Sequence, residues 1–356
     1  MRAPLFAAAA VALLAHCWLQ WSAPAITIIG NVTVDTFSDG SSALGGAVSY
    51  AAAVASGFGQ RACIVSAHGP DAQLGGVFEG HDLVVVPSNR TLVFEHSYTF
   101  WGNHRRLRVA AQPDVTLTWD HVPARCRRAR VLLLGPLMPE DMHPASFVPS
   151  SRPWWERALG LLGPRQQVGL MAQGLQRQLE AGARVAALPT PSHQLEAALG
   201  PSTLLFLSDV EADGWGNGNG TVAGLAARTS RFLVTRGGEG ADEWTGPAVQ
   251  RHPVFDVPVV DTNGAGDVFA TSYMLAAAAG HSDPVKVAHW AGAMAVSQPQ
   301  ACKPACVTDA LRDGWQLQPP SRGASWLAVQ ERLLGHAKLL AQLVGWGRAG
   351  SSSRAA

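Results

Sequence analysis

Asp261-Thr262-Asn263-Gly264-Ala265-Gly266-Asp267 holds the residue types with the clearest chemistry in the chain. Gly264 and Gly266 let the backbone bend sharply and turn successive N–H groups one way. A helix beginning at about Ala265 adds its own unpaired N–H groups and the positive end of its dipole. The product is an anion hole with a carboxylate, Asp267, at its lip. Such a pair suits phosphoryl transfer to a hydroxyl: the backbone holds the moving group, and the carboxylate takes or orients the proton. A Gly-rich turn capped by an Asp is the plain structural alternative.

The elements on either side set the geometry. Val259-Val260 reads as strand before the turn, and Val268 to Ala279 as an apolar helix after it. Upstream, Ala25-Ile26-Thr27-Ile28-Ile29-Gly30 reads as a buried strand, followed by Asn31-Val32-Thr33-Val34-Asp35. A carboxylate just past the end of a strand sits where open α/β sheets bind ligands, so Asp35 is a candidate acceptor of two hydroxyl hydrogen bonds, or a turn Asp. Gly45-Gly46 opens a helix of small residues through Ala55, suited to close backbone approach to a ligand or to tight packing.

Further strands are expected at 61–66, 83–87, 131–136, 168–177 and 204–211, the last ending in polar residues, and at 231–240, where the strand runs into a Gly turn. Thr91 to Phe100, a turn at Trp101-Gly102-Asn103-His104, and Arg105 to Val109 form the best hairpin pattern. Pro284 to Gln298 reads as a helix, 326–346 as a final amphipathic one, and 347–356 as a tail. Strands alternating with helices predict a parallel sheet covered on both faces.

The DTxGAGD string resembles the signature of the ribokinase-like PfkB carbohydrate kinases, and the other motifs fall in that family's order. The resemblance spans about Ala25 to Arg312. It implies a three-layer α/β/α sandwich with a mainly parallel central sheet and a small β-strand lid. It also implies ATP-dependent phosphorylation of a small sugar or polyol. On that basis Asp267 is the catalytic base, with Gly264, Ala265 and Gly266 completing the anion hole. Asn31, Asp35, Gly45, Gly46 and Glu95 fall in the acceptor region. Thr235-Arg236-Gly237-Gly238-Glu239-Gly240 resembles the family's T-x-G-x-x-G nucleotide segment; Thr235, Arg236, Gly237 and Gly240 are its candidate contacts. Arg236 could pair a phosphate oxygen or be a surface residue. Ser208-Asp209-Val210-Glu211 matches the family's N-x-x-E, with Ser208 in place of Asn; Glu211 then supports Mg²⁺ through water, or is simply a helix-start acid. His289 stands where relatives carry an Asn beside adenine, or is a packed core His.

"LGP" at 134–136, the Gly169 to Arg177 stretch and Phe94-Glu95-x-x-Tyr98 resemble the plant and algal myo-inositol kinase branch. Myo-inositol is therefore the first expected acceptor, then a furanose sugar, then a nucleoside. Ala47 and Tyr50 replace the Lys or Asn common after the Gly pair. That departure and Ser208 leave open a kinase-fold binding or regulatory protein.

The formal net charge of +1 across 356 residues offers no electrostatic footprint for nucleic acid or anionic membrane. The expected partners are ATP and a sugar or polyol, with a monomer or homodimer. Residues 1–24 form an apolar leader (signal, transit segment or mistaken start), 25–323 a kinase domain with the hairpin at about 88–112, and 324–356 the helix and tail. The leader run is short for a membrane span. Five scattered Cys predict structural or free thiols in a reducing compartment, cytoplasm or plastid. The leader and the sequons at Asn31, Asn89 and Asn219 point instead to secretion.

Overall fold

Continuous apolar runs become interior strands because both of their faces need cover. The computed structural model describes residues 23–98, 105–154, 156–157, 166–216 and 218–314. Ile26–Ile29 (β1) is wholly buried and pairs in parallel with Ala62–His68 (β4) and Val131–Leu134 (β8). Gln167–Met171 (β9), Thr203–Ser208 (β12) and Arg231–Thr235 (β13) extend the parallel run on one side, and Asp82–Pro87 (β5) ends it on the other. Ala241–Thr245 (β14) and Ala248–His252 (β15) add an antiparallel edge. Among the described residues the order is β15-β14-β13-β12-β9-β8-β1-β4-β5.

Side chains alternate across this sheet, so each strand feeds two cores. Ile29, Val65, Leu134, Leu170, Leu207 and Val234 share one core with Trp119, Phe147, Trp215 and Leu225. Opposite lie helices rich in Ala: Ala47–Gly57 (α1), Ala265–Ala278 (α2), Pro284–Val296 (α3) and Ala305–Gly314 (α4). Their small side chains let α1 pack on α2 and α4, and α2 on α3. The expected parallel α/β sheet, with helices packed on it, is the fold observed.

A second sheet departs from the expected small hairpin. Leu92–Tyr98 (β6) and Arg105–Ala111 (β7) do pair antiparallel. They also join Thr33–Phe37 (β2), Ser42–Gly45 (β3), Arg177–Glu180 (β10) and Arg184–Ala187 (β11), in the order β10-β11-β7-β6-β2-β3. Ser42–Gly45 is a strand, and the helix expected from the Gly pair opens directly behind it at Ala47 with Gly46 as its N-cap. Two readings are corrected here. Val259 and Val260 are exposed and form no strand. The strand expected through Arg177 stops at Met171, and Ala172–Gln176 is a 3₁₀ turn.

Cys63 and Cys126 form a disulfide, as do Cys302 and Cys306. The expectation of scattered thiols in reducing surroundings does not hold for these four. Among the described residues no helix is long and apolar enough to cross a membrane. The leader (but for its last two residues), the hairpin turn at 99–104, Cys17 and the 326–346 helix lie outside the described residues.

Candidate active site

The loop ahead of α2 is pinned from behind. Val260 N–H and Asp261 N–H both donate to the carbonyl of Val296 at the end of α3, at 2.8 and 3.1 Å. Ala265 N–H donates to the Thr262 carbonyl, and Gly264 caps α2 with φ 76°. A Cβ at Gly264 would run into the ring of Tyr50 on α1. The left-handed φ and the aromatic wall together leave room only for glycine. Asp267 lies in the first turn of α2, where the helix dipole favours its ionised form.

In front of the loop is a cavity of about 250 Å³. Gly264, Gly266 and Asp267 line it together with Thr33, Asp35 and Phe94 from the second sheet, Gly46 and Tyr50 from the start of α1, and Ser208, Glu211 and Thr235 from the strand ends. Asp35 is 5% exposed; Thr33 Oγ1 donates to it at 3.1 Å and His96 Nε2 lies 3.6 Å away. Gly45 is not in the lining, but a Cβ there would stand 2.5 Å from Asp35 Oδ2 and from Thr33 Oγ1. Its missing side chain is the space the Asp35 carboxylate occupies.

Burial pushes the Asp267 carboxyl up to about 7; the Asp35 charge adds to the rise and the Arg177 guanidinium opposes it. Burial, then the carboxylates of Asp267, Asp35 and Asp261, raise the Tyr50 phenol well above its ordinary range, so Tyr50 is a neutral donor at any working pH.

Ser208 and Glu211 are tied to each other in a capping box. Glu211 Oε2 accepts from Ser208 N–H at 3.0 Å and also contacts Ser208 Oγ. Its other oxygen accepts from Gln173 Nε2 at 3.1 Å. Both carboxylate oxygens already accept hydrogen bonds, which suits contact through water with Mg²⁺, an ion that keeps most of its hydration.

Several expected site residues stand away from this cavity. Asn31 is fully buried, its Oδ1 accepting from Ala67 N–H at 3.3 Å. Glu95 pairs with Arg108 at 2.6 Å on the surface of the second sheet. Arg236 is held by Asp242 at 2.7 Å and Asp213 at 3.6 Å. Gly237 and Gly240 turn the chain between β13 and β14, where Gly240 accepts from Arg236 N–H at 2.7 Å. His289 packs edge-on to Phe269, ring centroids 5.1 Å apart, and burial, with the nearby His252, pulls its imidazole down to about 4. It is a neutral core histidine.

Two cavity residues escaped sequence reasoning in this role. Arg177 donates to the Leu137 carbonyl at 3.0 Å and lies 5.6 Å from the Phe94 ring centroid, inside the cavity with Asp267. Its place in the 169–177 stretch was visible, its direction was not. Phe94 likewise read only as part of a string.

Residues 171–307 match the model described as pfkB family carbohydrate kinase. No curated protein sequence matches the chain. Among solved structures, a pyrophosphate-dependent kinase in the ribokinase family, complexed with a pyrophosphate analog and myo-inositol, superposes with TM-score 0.61 at 16% identity. That match covers 77% of this chain and 96% of the other. Adenosine kinase from Sinorhizobium meliloti gives TM-score 0.61 at 16% identity over 82% and 99%. Arabidopsis thaliana ribokinase complexed with ribose and ATP gives 0.55 at 17% over 82% and 99%. The chain thus has the ribokinase-like α/β fold, and within it residues 171–307 carry the likeness to the pfkB family carbohydrate kinases.

Proposed function

We propose that the protein is a kinase that transfers a phosphoryl group to a hydroxyl of a small sugar or polyol, with ATP as donor and myo-inositol as the first acceptor to test. The observation that carries this reading is the convergence of Gly264, Gly266 and Asp267 with Asp35 on one small cavity, Ala265 lying outside its lining. The acceptor hydroxyl sits against Asp267, which receives its proton as the oxygen bonds to phosphorus. The bond from phosphorus to the donor's bridging oxygen breaks, and that oxygen leaves with the electron pair. The Gly264, Gly266 and Asp267 N–H groups hold the charge on the moving phosphoryl group, the Ala265 N–H being spent on the Thr262 carbonyl, and Arg177 adds a cation beside it. Asp35 and Tyr50 orient the acceptor. Glu211 would hold Mg²⁺ through water, and the ion would neutralise donor phosphate charge there.

Pyrophosphate is a second donor reading. Of Thr235, Arg236, Gly237, Gly240 and His289, only Thr235 lines the cavity. Pyrophosphate needs the anion hole but no base pocket, and three structural neighbours are described as pyrophosphate-dependent. A panel of polyols, sugars and nucleosides, each run with ATP and with pyrophosphate in Mg²⁺, separates the donors by which one is consumed. Silence across the panel would favour a binding protein on a kinase fold. Asp267→Asn is expected to keep fold and donor binding while turnover falls roughly 10²–10⁴-fold, the usual range for a general base. Near-parental turnover in that variant sinks the mechanism.

A further inference from the structure

Lys303 lies behind the Gly264 turn, on the side away from the cavity. Its side chain is 0% exposed, so its ammonium is shut off from bulk solvent. An ammonium carries three N–H donors. All three find oxygens of one loop: the Asp261 carbonyl at 2.7 Å, Asp261 Oδ2 at 2.9 Å and the Asn263 carbonyl at 3.1 Å. The residue reaches that place from a short segment closed by the Cys302–Cys306 disulfide, 42 residues along the chain from Asp261.

The geometry has a consequence on the other face. In a trans peptide C=O and N–H point in opposite directions. The Asn263 carbonyl and the Gly264 N–H belong to one peptide plane, so the carbonyl held by Lys303 turns the Gly264 N–H away from Lys303. The Asp261 carbonyl does the same for the Thr262 N–H. Thr262, Asn263 and Gly264 all line the cavity. A full positive charge on these carbonyls also polarises the peptides, strengthening the opposite N–H groups as donors to an anion.

We propose that Lys303 is a positioning residue for the anion hole, its ammonium acting as a built-in monovalent cation that fixes the peptide planes of the Asp261–Gly264 loop. The role rests on the kinase reading for its catalytic meaning, but the clamp itself does not. Nothing on the ammonium touches the cavity; it acts through Asn263 and Asp261.

The test compares Lys303→Ala, which opens a space ringed by three oxygens, with Lys303→Met, which keeps the stem's volume without charge. On the donor and acceptor pair that the parent turns over, both variants are expected to lose roughly 10²-fold in kcat, the lower end for loss of an oxyanion donor, with acceptor KM nearly unchanged. Potassium or ammonium chloride at 100 mM, on the order of a physiological salt level, should restore part of kcat to Lys303→Ala and not to Lys303→Met. Tetramethylammonium, too large for the space, should restore neither. The same salts should raise the melting midpoint of Lys303→Ala above the effect seen on the parent. Parental kcat in either variant, or equal response of Ala and Met variants to potassium, overturns the clamp. A parent inactive with every acceptor overturns the kinase reading instead, and the midpoint of Lys303→Ala then decides the clamp alone. If Lys303→Ala cannot be recovered folded, parental kcat in Lys303→Met still refutes the proposal.

Discussion

Asp267 is a carboxyl in a place that resists its charge, and its chemistry follows from that conflict. Burial raises it to about 7, within reach of working pH, where a base of matched strength is most useful. The pH dependence of kcat/KM is expected to rise through an apparent pKa near 7 and to flatten above it. A profile already flat from pH 5 upward would show that Asp267 is not the titrating base. The same shift sets the stability contribution. The folded state binds the Asp267 proton more tightly than the unfolded chain, whose carboxyl titrates near 3.8. Stability from this group is therefore full below that value and drains away as pH rises through about 7. Melting midpoints of the parent should fall relative to Asp267→Asn across that window, the gap closing at acid pH.

At the scale of elements, the cavity wall depends on the β2–β3 pair, where Asp35 and Ala43 are cross-strand partners. Gly45 ends β3 with its missing Cβ facing the Asp35 carboxylate. Gly45→Ala is expected to push that carboxylate aside. Acceptor KM should rise about tenfold or more, the loss of roughly one charge-assisted hydrogen bond, with donor KM little changed. An unaltered acceptor KM would place acceptor recognition elsewhere. These elements also show where sequence reading fell short. The β6–β7 hairpin was legible because β-branched and aromatic residues cluster there. Strands β2, β3, β10 and β11 are four or five residues long and mixed in polarity, with no period strong enough to register. Their pairing into one sheet is decided by contacts distant in sequence, such as β2 with β6.

Over the whole molecule, the Cys63–Cys126 bridge ties β4 to the segment before β8, closing a loop of 63 residues. By chain entropy a loop of that size stabilises by about 4 kcal/mol. Replacing both cysteines by alanine should lower the melting midpoint by several degrees while leaving kcat nearly unchanged, since neither residue lines the cavity. An unshifted midpoint would mean that the two thiols are not paired in solution.

The sequence by itself determined the layered α/β architecture and the glycine turn ahead of Asp267. Both have a local origin: an apolar run needs cover on both faces, and Gly264 and Gly266 beside Asp267 favour a sharp bend and a helix start. Only the tertiary structure decided which polar side chains face the cavity. Arg177 enters it, while Arg236 turns to Asp242 and His289 into the core. Lys303 gave no signal at all in sequence, because a lone lysine has no period and no motif. Its meaning arises only when folding sets it against the Asp261 and Asn263 carbonyls and the Asp261 carboxylate, whose three oxygens satisfy a buried positive charge.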